Sequence, residues 1–314
     1  MPDQNLSIII AGPTASGKSL LAMAVAERIG GEIVNADSMQ VYRELRVLTA
    51  RPSPHDEARC PHHLFGVMSA TEMGSVGDWL ERAMAARAAI HKIGATPVFA
   101  GGTGLYLKAL LEGLAPVPDV PDAVIAETRD LFERLGGKAF REQLLVLDPK
   151  AAGIPPGDRQ RLLRAHQVVV ATGHPLSYWR ARKSTRQPLS GTVLKLLLLP
   201  PRKALYATID KRFHAMVEAG GLIEAKSVAA MALEPSLPAS RAVGLRQLAA
   251  YVAGQTSKAD AVENGARATR NYAKRQFTWF RNQFAADHLW EDFANQRVID
   301  EAVQLAMKAR NNIT

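Results

Sequence analysis

The run Leu6-Ser7-Ile8-Ile9-Ile10-Ala11-Gly12-Pro13-Thr14-Ala15-Ser16-Gly17-Lys18-Ser19 decides the fold. Leu6 to Ala11 is short and apolar, with three consecutive isoleucines, and predicts a buried strand. Gly12 to Ser19 fits the pattern Gly, any four residues, Gly-Lys-Ser. Leu20 to Ile29 is rich in Ala and Leu and predicts a helix. Strand, loop and helix in that order make a phosphate cradle. The loop N–H groups and the positive helix end face an anion, Lys18 adds a point charge, and the Ser19 hydroxyl suits Mg²⁺. The pattern names a phosphate chain but leaves the reaction open.

Moving outward, Gly30-Gly31 ends the helix and Glu32 to Ala36 predicts a second strand. It delivers Asp37-Ser38-Met39-Gln40 at its carboxyl end, where doubly wound parallel sheets gather their chemistry. Asp37 therefore belongs near the phosphate loop, as a reacting carboxylate or as a metal-supporting or helix-capping group. Thr49 to His63 carries Pro52, Pro54 and Pro61 and reads as a loop containing Cys60. His62-His63 invites a metal, but adjacent side chains diverge and no third ligand type is near, so a structural role is expected. Asp78 to Ile93 predicts a helix with Asp78 as N-cap and Gly94 as stop. Thr96 to Ala100 is a third strand and runs into Gly101-Gly102-Thr103-Gly104, followed by a helix over Leu105 to Glu112. The paired glycines would let backbone approach a ligand. The Thr103 hydroxyl would touch that ligand or cap the helix.

Ala115 to Pro121 is a proline-punctuated linker, and Asp122 to Thr172 is helical in pattern with no strand candidate. Arg159 to Arg186 contains Arg159, Arg161, Arg164, Arg180, Arg182, Lys183 and Arg186, with Tyr178 and Trp179 among them and no acidic residue. Such interleaving suits single-stranded or looped nucleic acid. Val193 to Leu199 reads as a buried strand returning to the first sheet. Residues 116–191 then form a helical insertion in a core made of 1–115 and 192–314. In that core Arg202 to Ala219, Leu222 to Leu233 and Gln296 to Lys308 read as helices. Ala266 to Phe284 is a longer helix, with Ala273, Phe277, Phe280 and Phe284 as a buried stripe. Arg267, Arg270, Lys274 and Arg281 form a basic rail beside that stripe.

Composition narrows the partners. The 314 residues are 47% apolar and carry a formal net charge of +9, which favours a polyanion. The single cysteine, Cys60, excludes a disulfide framework and a cysteine zinc site within the chain. The start, Met1-Pro2-Asp3-Gln4-Asn5, lacks signal-peptide character, and no long apolar run exists. A cytoplasmic monomer without membrane contact is the expectation.

Four blocks together closely resemble the bacterial tRNA dimethylallyltransferase (tRNA isopentenyltransferase) family. They are Gly12 to Ser19, Ala36-Asp37-Ser38-Met39-Gln40-Val41-Tyr42, Gly101-Gly102-Thr103-Gly104-Leu105-Tyr106 and Lys274-Arg275-Gln276-Phe277-Thr278-Trp279-Phe280-Arg281. Gln160-Arg161-Leu162-Leu163-Arg164 and Arg241-Ala242-Val243-Gly244-Leu245-Arg246 are similar to family segments too. The resemblance implies an α/β P-loop core with an all-helical insertion. It also implies dimethylallyl diphosphate, Mg²⁺ and the tRNA anticodon stem-loop as reactants and partners. The prenyl group would go to the exocyclic amino nitrogen of the adenosine 3′ to the anticodon. In that frame Lys18, the loop and Arg212 hold the diphosphate, and Ser19 holds the metal. Asp37 acts as base with Thr103 as hydrogen-bond partner, and Ser38, Met39 and Gln40 hold the flipped adenine. The last two core or insertion blocks and the Lys274 to Arg281 block would contact tRNA. A P-loop small-molecule kinase and a free-adenylate isopentenyltransferase are the alternatives, and both leave the basic helices unexplained. The chain departs from the family at Asn35, where a small residue such as Ser is expected, and at Ile125, where some relatives place Arg. The single cysteine also excludes the C-terminal zinc finger of eukaryotic relatives.

Overall fold

The computed structural model describes residues 5–182 and 189–312. The chain forms two compact units, one of Met1–Leu111 with Leu189–Thr314 and one of Glu112–Pro188.

The first unit is built on a wholly parallel six-stranded sheet. Its strands are β1 (Leu6–Ala11), β2 (Gly31–Asn35), β3 (His62–His63), β4 (Thr96–Gly101), β5 (Thr192–Leu198) and β6 (His288–Trp290), in the spatial order β3-β2-β4-β1-β5-β6. The isoleucine run is buried throughout, because a parallel central strand is covered on both faces. Ile8 and Ile10 point to one side, into a core with α1 (Lys18–Ile29) and α12 (Gln296–Asn311) that includes Leu21, Val25, Val298 and Ala302. The opposite face takes α3 (Val76–Lys92) and α4 (Gly104–Glu112), where Trp79 stacks on Tyr106 at 4.1 Å between ring centroids. The Trp79 indole N–H donates to the Asn35 carbonyl at 2.9 Å, tying α3 to the end of β2.

Several local expectations change. The proline-rich stretch before His63 contains a short helix, α2 (Pro54–Arg59), closed by a Ser53–Asp56 capping box, and the edge strand β3. Ser75, not Asp78, caps α3: its hydroxyl accepts the Asp78 N–H. β4 lies between β1 and β2. β5 is buried only over its last three residues. The helices behind it are α8 (Arg202–Met216), α9 (Leu222–Ala230), α10 (Leu245–Val252) and α11 (Lys258–Gln283). α11 begins eight residues before Ala266, where Ser257 accepts the Asp260 N–H and sets the start.

The second unit is helical. It holds α5 (Asp122–Leu147), interrupted at Gly136, α6 (Arg159–Thr172) and the short α7 (Leu176–Arg180). Phe140, Leu144, Leu162, Leu163 and Val169 are its core. Among the described residues no helix is long and apolar enough to cross a membrane.

Candidate active site

The phosphate loop leaves β1 and enters α1 through Gly17, whose φ of 91° suits glycine. No side chain caps α1, so its first-turn N–H groups are left for an anion. Ala15 holds a left-handed φ of 65°, a strained state for a residue with a Cβ. The Ser16 hydroxyl is buried with no hydrogen-bond partner, a polar atom awaiting a ligand. Lys18 Nζ lies 3.4 Å from the Pro13 carbonyl. Burial pulls the Lys18 ammonium down from 10.5 to about 8, with Asp37 pulling upward and Arg212 downward. The loop is braced from outside by the Ala294 N–H, which donates to the Ser16 carbonyl at 3.3 Å.

Asp37 follows β2 and Thr103 follows β4, both at the carboxyl edge of the sheet. Asn35 holds the Asp37 backbone. Its amide oxygen accepts the Asp37 N–H at 2.8 Å, and its amide nitrogen donates to the Asp37 and Leu64 carbonyls at 3.0 Å each. The departure at position 35 is therefore a fully buried hinge pin for the reacting loop. Asp37 Oδ1 accepts the Met39 N–H at 2.9 Å. Thr103 Oγ1 accepts the Ser38 N–H at 3.0 Å and lies 3.3 Å from the Ser38 hydroxyl. It also bonds the Tyr272 hydroxyl, whose ionisation is pushed up by burial and by Asp37. The Thr103 hydroxyl is thus turned into the site, while its carbonyl accepts the Tyr106 and Leu107 N–H groups that open α4.

One cavity lies between the phosphate loop, Asp37 and Tyr272. It is lined by Thr14, Ala15, Asp37, Met39, Leu48, Thr49, Ile209, Arg212, Phe213, Met216, Val243, Thr269 and Tyr272. The space between these residues, its open mouth included, is about 590 Å³. Arg212 lines this cavity, its guanidinium depressed by burial and supported by the Asp37 charge. Ile209, Arg212, Phe213 and Met216 reach the cavity from α8 at spacings of three, four and seven residues, which is one helix face. The sequence reading found Arg212 there but missed its apolar neighbours, although that spacing was the available signal. Tyr272 and Thr269 on α11 were missed because an aromatic at helical spacing looks like core.

Other expected contacts are redirected. The Gln40 amide nitrogen donates to the Thr49 and Ala50 carbonyls, at 2.8 and 3.1 Å, so that half of the amide holds a loop. The glycines after β4 serve the protein itself. A Cβ on Gly101 would lie 2.1 Å from the Ala36 carbonyl oxygen, and one on Gly102 would lie 2.4 Å from Gln276 Nε2. Gln276 is buried: its Oε1 accepts the Thr14 N–H at 2.9 Å and its Nε2 donates to the Gly102 carbonyl at 2.8 Å. It stitches the phosphate loop to β4 and cannot face tRNA. Phe280 is also buried, Phe277 lies under Arg202 at 5.0 Å, and the Trp279 ring packs against Gly104. Ala242 and Leu245 are buried, Gly244 is covered by the Phe213 ring, and Val243 lines the cavity. In the insertion, Leu162 and Leu163 are core, leaving Gln160, Arg161 and Arg164 on the surface. Lys274, Arg275, Thr278 and Arg281 on α11, Arg241 before α10 and Arg246 in its first turn are exposed. Lys183 and Arg186 lie outside the described residues. Tyr178 already stacks on His174, at 4.2 Å, and under the Arg182 guanidinium, at 4.3 Å. The histidine pair is structural: His63 Nε2 meets Glu32 Oε2 at 2.6 Å and His62 Nδ1 meets the Cys60 carbonyl at 2.8 Å.

A parallel sheet with a phosphate loop after β1, beside a cavity lined by both charged and apolar side chains, defines a P-loop α/β fold. The family model described as IPP transferase matches residues 40–283, and that of isopentenyl transferase matches residues 5–59. A tRNA dimethylallyltransferase of Rhodospirillum centenum is 49% identical over 287 residues, covering 91% of each chain. One of Parvibaculum lavamentivorans is 50% identical over 292 residues, covering 92% of this chain and 91% of its own. The crystal structure of a full-length tRNA isopentenylpyrophosphate transferase from Bacillus halodurans superposes with a TM-score of 0.70 at 30% identity, covering 99% and 98% of the two chains. A eukaryotic dimethylallyltransferase captured acting on tRNA gives a TM-score of 0.75 at 26% identity, covering 88% of this chain and 70% of its own. The chain belongs to the tRNA dimethylallyltransferase family of prenyl-transferring enzymes. The kinase and free-adenylate alternatives find no support among these relatives.

Proposed function

We propose that the chain transfers a dimethylallyl group from dimethylallyl diphosphate to the exocyclic amino nitrogen of the adenosine 3′ to the anticodon in tRNA. The observation that carries this reading is the half-charged, half-apolar cavity. Its Thr14, Ala15 and Arg212 end fits a diphosphate, and its Ile209, Phe213 and Met216 wall fits a hydrocarbon chain. The carbon–oxygen bond of the donor breaks and its electron pair leaves on the diphosphate. Lys18, Arg212 and the N–H groups at the start of α1 neutralise that charge. The adenine amino lone pair forms the new carbon–nitrogen bond, and its proton passes to the Asp37 carboxylate. Thr103, fixed between Ser38 and Tyr272, orients the amino group.

The residues present fit Mg²⁺. Ser19 is exposed in the first turn of α1, Ser16 offers an unpartnered oxygen, and both are hard oxygen donors. Among the described residues no cluster of three His, Cys, Asp or Glu could hold a metal, so Ser19 would hold it together with the donor's own oxygens. Bound there, the ion supplies charge neutralisation to the leaving diphosphate. The exposed basic groups of α11, and separately those of α6, each suit the phosphates of an anticodon stem-loop. The test is transfer of label from dimethylallyl diphosphate into tRNA by the wild type and by Asp37→Ala. Turnover falls by about 10²–10⁴-fold in the variant while tRNA affinity stays within about twofold. Unchanged turnover removes Asp37 as the base.

A further inference from the structure

Resting on that reading, we infer that the loop of residues 292–295 is a positioning element for the diphosphate. In it Ala294 turns the Gly17 N–H of the phosphate loop toward the anion, and Asp292 holds Ala294 in place. Ser16 lies between two left-handed residues, Ala15 at φ 65° and Gly17 at φ 91°. Such a backbone persists only where its surroundings over-determine it. Part of the constraint comes from the segment that joins β6 to α12. The Ala294 N–H donates to the Ser16 carbonyl at 3.3 Å. A Cβ on Gly17 would lie 2.8 Å from the Ala294 Cβ, so the Ala294 side chain also abuts the turn. The Ser16–Gly17 peptide is trans, so its N–H points opposite to its carbonyl. With the carbonyl fixed on Ala294, the Gly17 N–H faces away from the brace and donates to no group among the described residues. Free N–H groups around such a turn form an anion nest.

One carboxylate shapes the brace. Phe293 packs against the cluster of Ala15, Leu205, Ile209 and Ala273, while Ala294 packs against the core that contains Leu21 of α1 and Val298 of α12. Adjacent side chains thus anchor the segment in two different clusters. Asp292 Oδ1 accepts the Phe293 N–H at 2.8 Å, and its Oδ2 accepts the Asn295 amide at 2.7 Å. The Asn295 side-chain oxygen accepts the Val298 N–H at 3.0 Å and so caps α12. Asp292 therefore fixes the residues on both sides of Ala294 and aims its N–H. The Asp292 carboxyl is held below the ordinary carboxylate range, first by the Phe293 N–H and then by the Asn295 amide. Its hydrogen bonds all stay within 292–297, so it acts on the phosphate loop only through Ala294.

The experiment measures the Kd of inorganic diphosphate with Mg²⁺ by titration calorimetry, beside kcat and KM for dimethylallyl diphosphate and KM for tRNA. It compares wild type, Ala294→Pro, Asp292→Ala and Asp292→Asn, with circular dichroism and thermal melting to confirm the fold. Ala294→Pro deletes the one N–H that holds the Ser16 carbonyl. Its Kd for diphosphate rises about tenfold or more, the size of one hydrogen bond lost from a charged acceptor. Asp292→Ala keeps that N–H but loses its aim, and Kd rises about threefold or more. Asp292→Asn retains an acceptor for the Phe293 N–H and returns toward the wild-type value. In each variant KM for dimethylallyl diphosphate follows Kd, and KM for tRNA stays within about twofold. A merely structural brace instead lowers the melting temperature and kcat and leaves Kd alone. Folded Asp292→Ala protein with the wild-type Kd overturns the inference, whether or not Ala294→Pro folds, and leaves the proposed reaction standing. A wild type that binds diphosphate but transfers no dimethylallyl group overturns the reaction and leaves the positioning element standing.

Discussion

Lys18 shows how one buried charge couples donor binding to pH. Its ammonium titrates at about 8 in the ligand-free protein, lowered chiefly by burial from 10.5. Between those two values the unfolded chain binds more protons than the folded one, so stability without donor rises with pH across that window. Donor capture changes in the opposite sense, because the neutral amine attracts no diphosphate. The kcat/KM for dimethylallyl diphosphate falls above about pH 8 in the wild type, since that ratio reports ionisations of the free enzyme. Lys18→Ala starts far lower and shows no such limb. A limb of the same midpoint in the variant assigns it to another group. The lysine and the acid were legible from sequence, because each lies at a strand end in a motif with a stated chemistry. The depressed ammonium was not, since burial arises only on folding and the Arg212 charge comes from nearly two hundred positions away. Gln276 shows the reverse error. The family-like block Lys274 to Arg281 implies an RNA contact for it, but its amide closes the phosphate loop onto β4.

At the scale of elements, the cavity wall formed by residues 46–50 depends on α9. The Glu224 carboxylate accepts the Arg46, Val47 and Leu48 N–H groups at 2.8, 2.6 and 2.9 Å. Gln40 fixes the next two carbonyls, and Leu48 and Thr49 line the site. Hydrogen bonds to a charged acceptor contribute about 1.5–3 kcal/mol each, and here three backbone donors share one carboxylate. Glu224→Ala therefore frees this wall. KM for dimethylallyl diphosphate rises about tenfold or more, kcat changes less, and amide exchange of residues 46–48 accelerates. Glu224→Gln keeps one carbonyl oxygen and falls between. Unaltered KM together with fast exchange separates the loop from donor binding. No local pattern announces Glu224, because a lone Glu on a helix reads as a solvated side chain and its partners are 176–178 residues distant. Helix α11 was half legible for a similar reason. Its aromatic stripe marked the second half, whereas the first half is polar and alanine-rich and is set by the Ser257 cap.

For the whole molecule, the parallel sheet was readable because β1, β4 and β5 are apolar runs that each lead into a helix. β3 and β6, two and three residues long, carry too little pattern to be seen. Net charge behaves likewise: the sum of +9 is visible, but its availability depends on folding. Arg270, counted in the basic rail, is committed to Asp210 of α8 and to Glu263 of its own helix. Lys274 is exposed on the same helix, with no ion pair among the described residues. These two cations should separate in a salt titration. Each phosphate contact contributes about 0.7–0.9 to the slope of log affinity against log salt. Lys274→Ala weakens tRNA binding and makes that slope shallower by about one contact. Arg270→Ala leaves the slope unchanged and instead lowers the melting temperature, because Asp210 and Glu263 lose their partner at the α8–α11 contact. Filter binding at several KCl concentrations, with thermal melts of the same samples, distinguishes them. A slope lowered by Arg270→Ala but not by Lys274→Ala would reverse the assignment and place the RNA against the α8 side of the helix pair.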